Sequence, residues 1–159
     1  SGAFGVFLGE WLLPGECGWF GARVVRKLIP DSAQVTVFDL SEDRHRLELI
    51  MTPGELSRVT FIQGDLTQTQ PVCDAVTSSK ATHIIHLGAL QVPFCKADRP
   101  WGAAVNVVCT VNMFEAAQAA GIRQLVYASS DGVYGTKDMY EESLVQHDTP
   151  LYPLNHYGV

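Results

Sequence analysis

Short runs of β-branched and aromatic residues alternate along the chain with longer segments of helical periodicity, and this alternation restricts the possible folds more than any other feature. The first predicted strand ends at residues 11–13, and the others span 35–38, 59–62, 83–87 and 124–128. The predicted helices span 20–29, 44–51, 71–79 and 101–120. This order is typical of βαβ units, which build parallel sheets. With right-handed crossovers it predicts an α/β fold, a doubly wound parallel sheet that binds ligands at the carboxyl ends of its strands.

The helix predicted over residues 101–120 has the clearest periodicity. Val105, Val108 and Ala116 recur at helical spacing, and Gly121 follows them. Glycine is common just after a helix, because it adopts the left-handed backbone that ends one. We therefore expect the helix to end at Gly121.

The composition excludes several kinds of partner. The 159 residues suffice for one domain, and with 47% hydrophobic and 18% charged residues a buried core is expected rather than disorder. The net charge of −6 argues against nucleic acid or an anionic membrane surface as a partner, since both require clustered Lys and Arg. No apolar run reaches the roughly 18 residues that span a bilayer.

The cysteines form neither a disulfide framework nor a metal site. Cys17, Cys73, Cys95 and Cys109 show no C-x-x-C pair and no spacing of metal ligands. In a chain of this size, that pattern favours reduced thiols in a cytoplasmic protein without a metal ion.

Three glycines separate the first predicted strand from the first predicted helix. Gly15, Gly18 and Gly21 form a G-x-x-G-x-x-G pattern. Glycines in such a turn let the backbone approach a pyrophosphate that sits on the helix N-terminus. Two residues depart from this pattern, because Pro14 precedes the turn and Glu16 puts a negative charge in it.

Asp39 closes the second predicted strand, where this fold places a carboxylate that binds the adenosine ribose hydroxyls. The carboxylate favours NAD over NADP. A 2′-phosphate beside it, at an effective dielectric of about 20, loses about two orders of magnitude in affinity. Arg44 lies nearby in sequence and could weaken this preference.

Three further motifs follow in order. Residues 64–66 read G-D-L, residues 86–89 read H-L-G-A and residues 106–112 read N-V-V-C-T-V-N. With the glycine turn, they resemble the motifs G-D-[LIV], H-[LF]-A-A and N-V-x-G-T-x-N of the extended short-chain dehydrogenases/reductases, the NAD-dependent epimerase/dehydratase family. The resemblance covers residues 11–159, with Cys109 where the family has glycine.

The resemblance implies a Rossmann fold with NAD as its cofactor. It places Asp65 beside the adenine, and residues 87–89 beside the pyrophosphate and the nicotinamide ribose. The cofactor-binding residues that it implies are Gly15, Gly18, Trp19, Phe20, Gly21, Asp39, Asp65, Leu66, Leu87, Gly88, Ala89, Asn106 and Tyr157.

Residues 125–135, L-V-Y-A-S-S-D-G-V-Y-G, resemble the family segment V-Y-x-S-S-[ST]-x-x-V-Y-G. The resemblance makes Ser130 the catalytic hydroxyl that hydrogen-bonds the substrate oxygen. Tyr157 is then the general base, taking the substrate's proton while a hydride leaves for the nicotinamide C4. A tyrosine has an ordinary pKa of about 10, and the family lowers it with a lysine one helical turn later. That lysine would fall just beyond Val159.

Asp131 and Gly132 bear on the reaction. Nucleotide-sugar dehydratases of the family carry Thr-Asp-Glu at this point, and glycine replaces the Glu here, so elimination of water lacks one acid. The resemblance therefore implies an NAD-dependent epimerase or dehydrogenase acting on a secondary hydroxyl of a sugar, sugar acid or nucleotide sugar. The alternative is a non-catalytic NAD(P)-binding sensor, although sensors usually lose the serine and tyrosine present here. The resemblance also implies a homodimer, packed through a helix that opens at Tyr157.

We expect the chain to consist of a short N-terminal segment and one incomplete domain. Residues 1–10 are a cloning remnant or a poorly conforming N-terminus, and residues 11–159 form the dinucleotide-binding domain, incomplete at its C-terminal end. The substrate domain is absent. We therefore expect this chain alone to bind NAD without turning substrate over.

Overall fold

Five parallel strands form one sheet in the computed structural model, which describes residues 10–14, 18–29, 33–141 and 144–159. The strands are β1 (Glu10–Pro14), β2 (Gln34–Asp39), β3 (Val59–Gln63), β4 (His83–His86) and β5 (Gln124–Tyr127). Their order in the sheet is β3-β2-β1-β4-β5. The chain therefore reverses direction of growth at β1, which confirms the predicted doubly wound α/β fold.

Helices lie between the strands. The α-helices of the described residues are α1 (Trp19–Leu28), α2 (His45–Glu48), α3 (Pro53–Leu56), α4 (Thr69–Ser79), α5 (Val92–Ala97), α6 (Arg99–Ala103) and α7 (Cys109–Ala119). A π-helical segment, Ala104–Val108, joins α6 to α7. None of the helices among the described residues is both long enough and apolar enough to cross a membrane.

The structure corrects several predicted boundaries. The first strand, predicted to end at residues 11–13, spans Glu10–Pro14 and so ends one residue later. The helix predicted over 101–120 is divided by its π-helical segment, and the short helices α3 and α5 are missed. Short helices bury too few residues to show a periodic pattern, which explains the omission.

The helix expected to open at Tyr157 is a turn in the structure. The backbone N–H of Gly158 donates to the carbonyl of Asn155 at 3.1 Å, and the N–H of Tyr157 donates to the Asn155 side chain at 2.9 Å. The Asn155 side chain thus satisfies a backbone donor locally, as asparagine commonly does in turns.

The predicted end of the long helix is confirmed. Gly121 has a φ of 71°, in the left-handed region, and its N–H donates to the carbonyl of Gln118 at 3.0 Å. The N–H of Ile122 donates to the carbonyl of Ala117 at 2.9 Å. These two bonds form a Schellman motif, which satisfies the last carbonyls of α7.

The two faces of β1 hold the core together. Leu12 and Leu13 are both 0% exposed, and successive strand residues point to opposite faces of a sheet. Leu12 packs in a cluster with residues of α4 and α7, whereas Leu13 packs with residues of α1 and α2. The sheet is therefore covered on both sides, and the carboxyl ends of its strands remain open for a site.

Candidate functional site

Two adjacent cavities lie along the carboxyl edge of the sheet. The larger has a volume of about 570 Å³ and is lined by Gly18, Trp19, Phe20, Gly21, Arg46, His86, Leu87, Gly88, Ala89, Gln91, Asn106, Tyr127, Ala128, Ser129, Ser130, Val133, Tyr157, Gly158 and Val159. The smaller has a volume of about 230 Å³ and is lined by Asp39, Leu40, Gly64, Asp65, Leu66, Thr67, Gly88, Ala89, Leu90, Trp101, Val105 and Cys109. Gly88 and Ala89 border both cavities.

This arrangement brings together the site residues predicted from sequence. The predicted catalytic pair and the helix-opening residues line the larger cavity, and the carboxylates of Asp39 and Asp65 lie at the smaller one. Gly15 lies outside the described residues. The structure shows that these residues lie along the same two cavities. Their contacts with a cofactor remain predictions.

The N-terminus of α1 opens into the larger cavity. Gly18 is its N-cap residue, and the first turn contains no acidic side chain. A Cβ built on Gly18 would meet nothing within 4 Å, and its φ of −84° is open to any residue. Neither packing nor backbone geometry among the described residues therefore requires glycine here. A ligand that approached the backbone closely would favour glycine at this position.

The smaller cavity has two carboxylates at its rim. The backbone carbonyl of Asp39 accepts from the N–H of Gly64 at 2.9 Å, which joins the ends of β2 and β3. Asp65 Oδ1 accepts from both the backbone N–H and the hydroxyl of Thr67, each at 2.8 Å. A Cβ on Gly64 would lie 2.5 Å from the ring of Phe38, so this glycine is required by the core beneath the cavity.

Asn106 fixes the backbone between the cavities. Its Oδ1 accepts from the N–H of Leu90 at 2.7 Å, and its Nδ2 donates to the Leu90 carbonyl at 2.9 Å. The same Nδ2 donates to the carbonyl of His156 at 3.2 Å. Asn106 thus joins the loop after β4 to the segment that carries Tyr157. We name residues 87–90 the dividing loop.

His86 lies beneath the larger cavity as a neutral ring. Its Nε2 is 3.3 Å from the hydroxyl of Thr110, which itself donates to the carbonyl of Asn106 at 2.9 Å. The hydroxyl proton is used there, so His86 Nε2 is the donor and Nδ1 is unprotonated. Burial lowers the pKa of His86 to about 4, and the ring stacks on Tyr127 with centroids 5.4 Å apart. Near neutral pH, His86 is therefore an uncharged, packed residue that lines the larger cavity.

Ser130 follows β5 at the opposite wall. Its hydroxyl accepts from the N–H of Gly132 at 3.0 Å and donates to the carboxylate of Asp131 at 3.2 Å. Ser130 itself has an extended backbone, with φ −148° and ψ 156°, before a short 3-10 turn, Asp131–Val133. The serine side chain thus caps this turn while it lines the cavity.

Tyr157 packs directly against that turn. A Cβ on Gly132 would lie 2.9 Å from the Tyr157 ring and 3.4 Å from the Ser130 hydroxyl. A Cβ on Gly158 would collide with the Gly132 carbonyl oxygen. Because both positions lack a side chain, the predicted serine and tyrosine lie on segments in direct contact.

Sequence reasoning missed Arg46, Trp101 and Cys109. Arg46 lines the larger cavity, and the other two line the smaller one. Arg44, which the sequence suggested instead, lies over the Phe61 ring at 4.1 Å from its centroid and 3.5 Å from the Glu42 carboxylate. The helix predicted over residues 44–51 contains both arginines, and its pattern does not show which of them reaches a cavity.

The cysteines and acids of the described residues do not form a metal site, since no cluster of three or more His, Cys, Asp or Glu ligands occurs there. Cys73, Cys95 and Cys109 are free thiols. Burial and the nearby charge of Asp65 raise the pKa of Cys109 to about 12, so it stays protonated.

Comparison with known proteins agrees with this geometry. The chain matches the NAD dependent epimerase/dehydratase family over residues 11–159. It is 34% identical over 150 residues to UDP-glucose 4-epimerase of Mycolicibacterium smegmatis, covering 92% of this chain and 46% of that protein. It is 38% identical over 128 residues to 3 beta-hydroxysteroid dehydrogenase type 7 of Rattus norvegicus, covering 79% of this chain and 36% of that protein.

A solved structure shows the same fold. The crystal structure of Thermus thermophilus UDP-glucose 4-epimerase in complex with NAD superimposes with a TM-score of 0.78 at 26% identity. The match covers 94% of this chain and 46% of that one. The chain thus spans about half the length of the relatives it matches.

Proposed function

Because the chain belongs to the NAD dependent epimerase/dehydratase family, we propose that the full-length protein is an NAD-dependent epimerase or dehydrogenase. It acts on a secondary hydroxyl group of a sugar, sugar acid or nucleotide sugar. The observation that carries this proposal is the location of Ser130 and Tyr157 in one cavity with the N-terminus of α1. Residues 11–159 serve as its dinucleotide-binding domain, and a further part of the protein supplies the substrate domain.

The residues present fit a dinucleotide. Open space above Gly18 allows a diphosphate to reach the free N–H groups of α1, whose dipole favours negative charge. The carboxylate of Asp39 would hold the adenosine ribose at the smaller cavity, where Asp65 would lie next to the base. Ser130 and Tyr157 would then lie beside the nicotinamide end in the larger cavity. When bound, NAD supplies a ring that accepts or returns a hydride.

The chain's own groups handle the proton. The N–H of Gly132 orients the Ser130 hydroxyl, which donates a hydrogen bond to Asp131. A substrate oxygen can replace Asp131 as the acceptor of that hydrogen bond. Tyr157, held against Gly132, accepts the substrate's hydroxyl proton as general base. Apolar Leu87, Tyr127 and Val133 limit water around these groups. An epimerase and a dehydrogenase share this first step.

A second substrate class has one observation in its favour. The identity to a 3 beta-hydroxysteroid dehydrogenase, 38%, exceeds the 34% identity to a UDP-glucose 4-epimerase, although over a shorter length. A ring hydroxyl of a steroid is also a secondary alcohol, and it suits the same pair of side chains. A non-catalytic sensor is disfavoured, because a sensor has no need of Ser130 and Tyr157 together.

Calorimetric titration of the full-length protein with NAD and NADP tests the cofactor. A panel of sugars, sugar acids, nucleotide sugars and 3β-hydroxysteroids then tests the substrate. Release of NADH identifies a dehydrogenase, and interconversion of epimers without net NADH identifies an epimerase. A folded protein that takes up neither dinucleotide contradicts the proposal.

We also propose a cytoplasmic homodimer. The free thiols of Cys73, Cys95 and Cys109 support a reducing compartment. Exposed Val111 and Phe114 on α7 support self-association, because they lie close together on one face of the helix. Light scattering of the full-length protein at several concentrations tests the dimer, and a monomer throughout contradicts it.

A further inference from the structure

One cation reaches the larger cavity among the described residues. Arg46 is the lining residue that carries a formal positive charge, and this lining contains no Asp or Glu. Arg46 is half-buried and shares the cavity with residues 18–21, which open α1. A partly desolvated guanidinium that lines the same cavity as a helix N-terminus favours an anion in that cavity.

Packing of α2 determines where Arg46 lies. Its neighbour Leu47 is 3% exposed and packs in one cluster with Ala22 and Val25 of α1. The packing of Leu47 anchors α2 against α1 and places Arg46, the preceding residue, at the side of the cavity. Arg44 does not line this cavity, and its guanidinium lies over Phe61.

The charges around the turn call for this cation. Of the basic residues of α1, Arg23 lies in the middle of the helix and Arg26 and Lys27 lie in its last turn, and none of the three lines the larger cavity. A helix N-terminus offers only about half of a positive charge, less than a diphosphate carries in negative charge. The sequence adds Glu16 to the same turn, which further disfavours an anion. Arg46 adds a full positive charge to the cavity that this N-terminus opens into.

On the basis of the proposed NAD site, we propose that the Arg46 guanidinium binds the diphosphate of the dinucleotide. It does not bind the 2′-phosphate that distinguishes NADP from NAD. The location of Arg46 supports this choice. It lines the cavity of the α1 N-terminus and not the smaller cavity of Asp39, where the adenosine ribose hydroxyls are expected.

The test measures affinity of the full-length protein for NAD, NADP, ADP and adenosine, with Arg46→Gln compared to Arg44→Gln. We expect Arg46→Gln to weaken NAD, NADP and ADP alike, by about tenfold or more, and to leave adenosine unchanged. Arg44→Gln is the matched control and should change none of the four. Arg46→Lys should retain part of the affinity, because it keeps the charge and loses the fork of donors.

Four results would overturn the assignment. Loss confined to NADP would show that Arg46 serves a 2′-phosphate. An equal loss for adenosine would show a structural role in α2. Unchanged NAD affinity in Arg46→Gln would remove Arg46 alone and leave the proposed function standing, whereas a native protein that binds neither dinucleotide would remove both.

Discussion

The side-chain amide of Asn106 is hydrogen-bonded to both backbone polar groups of Leu90, accepting at 2.7 Å and donating at 2.9 Å. This paired contact crosses from the π-helical segment to the dividing loop. The dividing loop begins where β4 ends at His86 and lacks the backbone pairing of a strand. The two bonds to Asn106 supply partners for the Leu90 backbone instead. The Asn106 side chain therefore holds the dividing loop at Leu90.

Asn106→Ala should loosen the dividing loop. Losing the amide leaves the Leu90 N–H without its partner and the Leu90 carbonyl with the Cys95 thiol alone, at 2.9 Å, and should lower the free energy of unfolding by about 1–3 kcal/mol. Hydrogen exchange at the Leu90 amide should accelerate, and NAD affinity should fall. Asn112→Ala is the control, since Asn112 is buried but bonds Leu66 and Thr69 instead. Equal Leu90 exchange in the two variants would argue against this role.

Tyr157→Phe should remove turnover of the full-length protein and spare the cofactor. Loss of the general base should reduce kcat by about two to four orders of magnitude, because only the proton transfer is affected. The phenyl ring preserves the contact with Gly132, so NAD affinity should stay near native. Steady-state kinetics and calorimetry on the same preparation separate the two effects. Turnover within tenfold of native would count against Tyr157 as the base.

Asp39→Asn should shift the preference between NAD and NADP. Removing the carboxylate charge should improve the NADP-to-NAD affinity ratio by about tenfold or more, because the repulsion of a 2′-phosphate is gone. Asp43→Asn provides the control, since the Asp43 carboxylate caps the N–H of exposed His45 at 3.0 Å and does not line either cavity. A ratio that moves equally in both variants would mean that Asp39 does not meet the ribose.

His86 should make stability depend on pH in one direction. Its pKa is lowered from 6.5 to about 4 by burial, so the unfolded chain binds a proton that the folded one does not. Above about pH 6.5 the ring is neutral in both states and contributes no pH dependence. As pH falls towards 4, stability should drop, by about 2 kcal/mol at pH 5.

Urea unfolding of native protein and His86→Gln isolates this effect. The substitution costs stability at pH 7.5 because it disturbs a buried wall. The difference between the two proteins should narrow by about 2 kcal/mol at pH 5, since glutamine does not titrate. A difference that is constant from pH 7.5 to pH 5 would show that His86 does not control this dependence.

Gly132→Ala should separate the predicted catalytic side chains. The new methyl group would stand 2.9 Å from the Tyr157 ring, closer than a methyl group can lie, so the tyrosine must move. We expect kcat to fall by about tenfold to a hundredfold, with NAD affinity less affected. Gly54→Ala is the matched control, because a Cβ there meets nothing within 4 Å. Native kcat in Gly132→Ala would show that the contact does not position Tyr157.

The sequence predicts those parts of the fold that repeat along the chain. Buried strands such as β2 are short apolar runs, and α7 has a full helical period with Gly121 at its end, so both emerge from local pattern. The ends of the strands bring Asp39, Asp65 and Ser130 to one edge for the same topological reason. These features were predictable because each depends on only a few neighbouring residues.

Other features depend on contacts between distant segments. The bonds of Asn106 to Leu90 and His156 join segments far apart in the chain, and no local pattern signals them. The placement of Arg46 depends on Leu47 packing against α1. The π-helical segment inserts one extra residue per turn without a change in composition, so a continuous helix was predicted.

The dividing loop has a consequence for how such proteins diversify. A long ligand that binds across the dividing loop contacts different residues at its two ends. The residues at one end can therefore be replaced while those at the other end are kept. The nucleotide end can thus be inherited unchanged by enzymes with unrelated substrates. Relatives that share this half of the chain indeed include both a sugar epimerase and a steroid dehydrogenase.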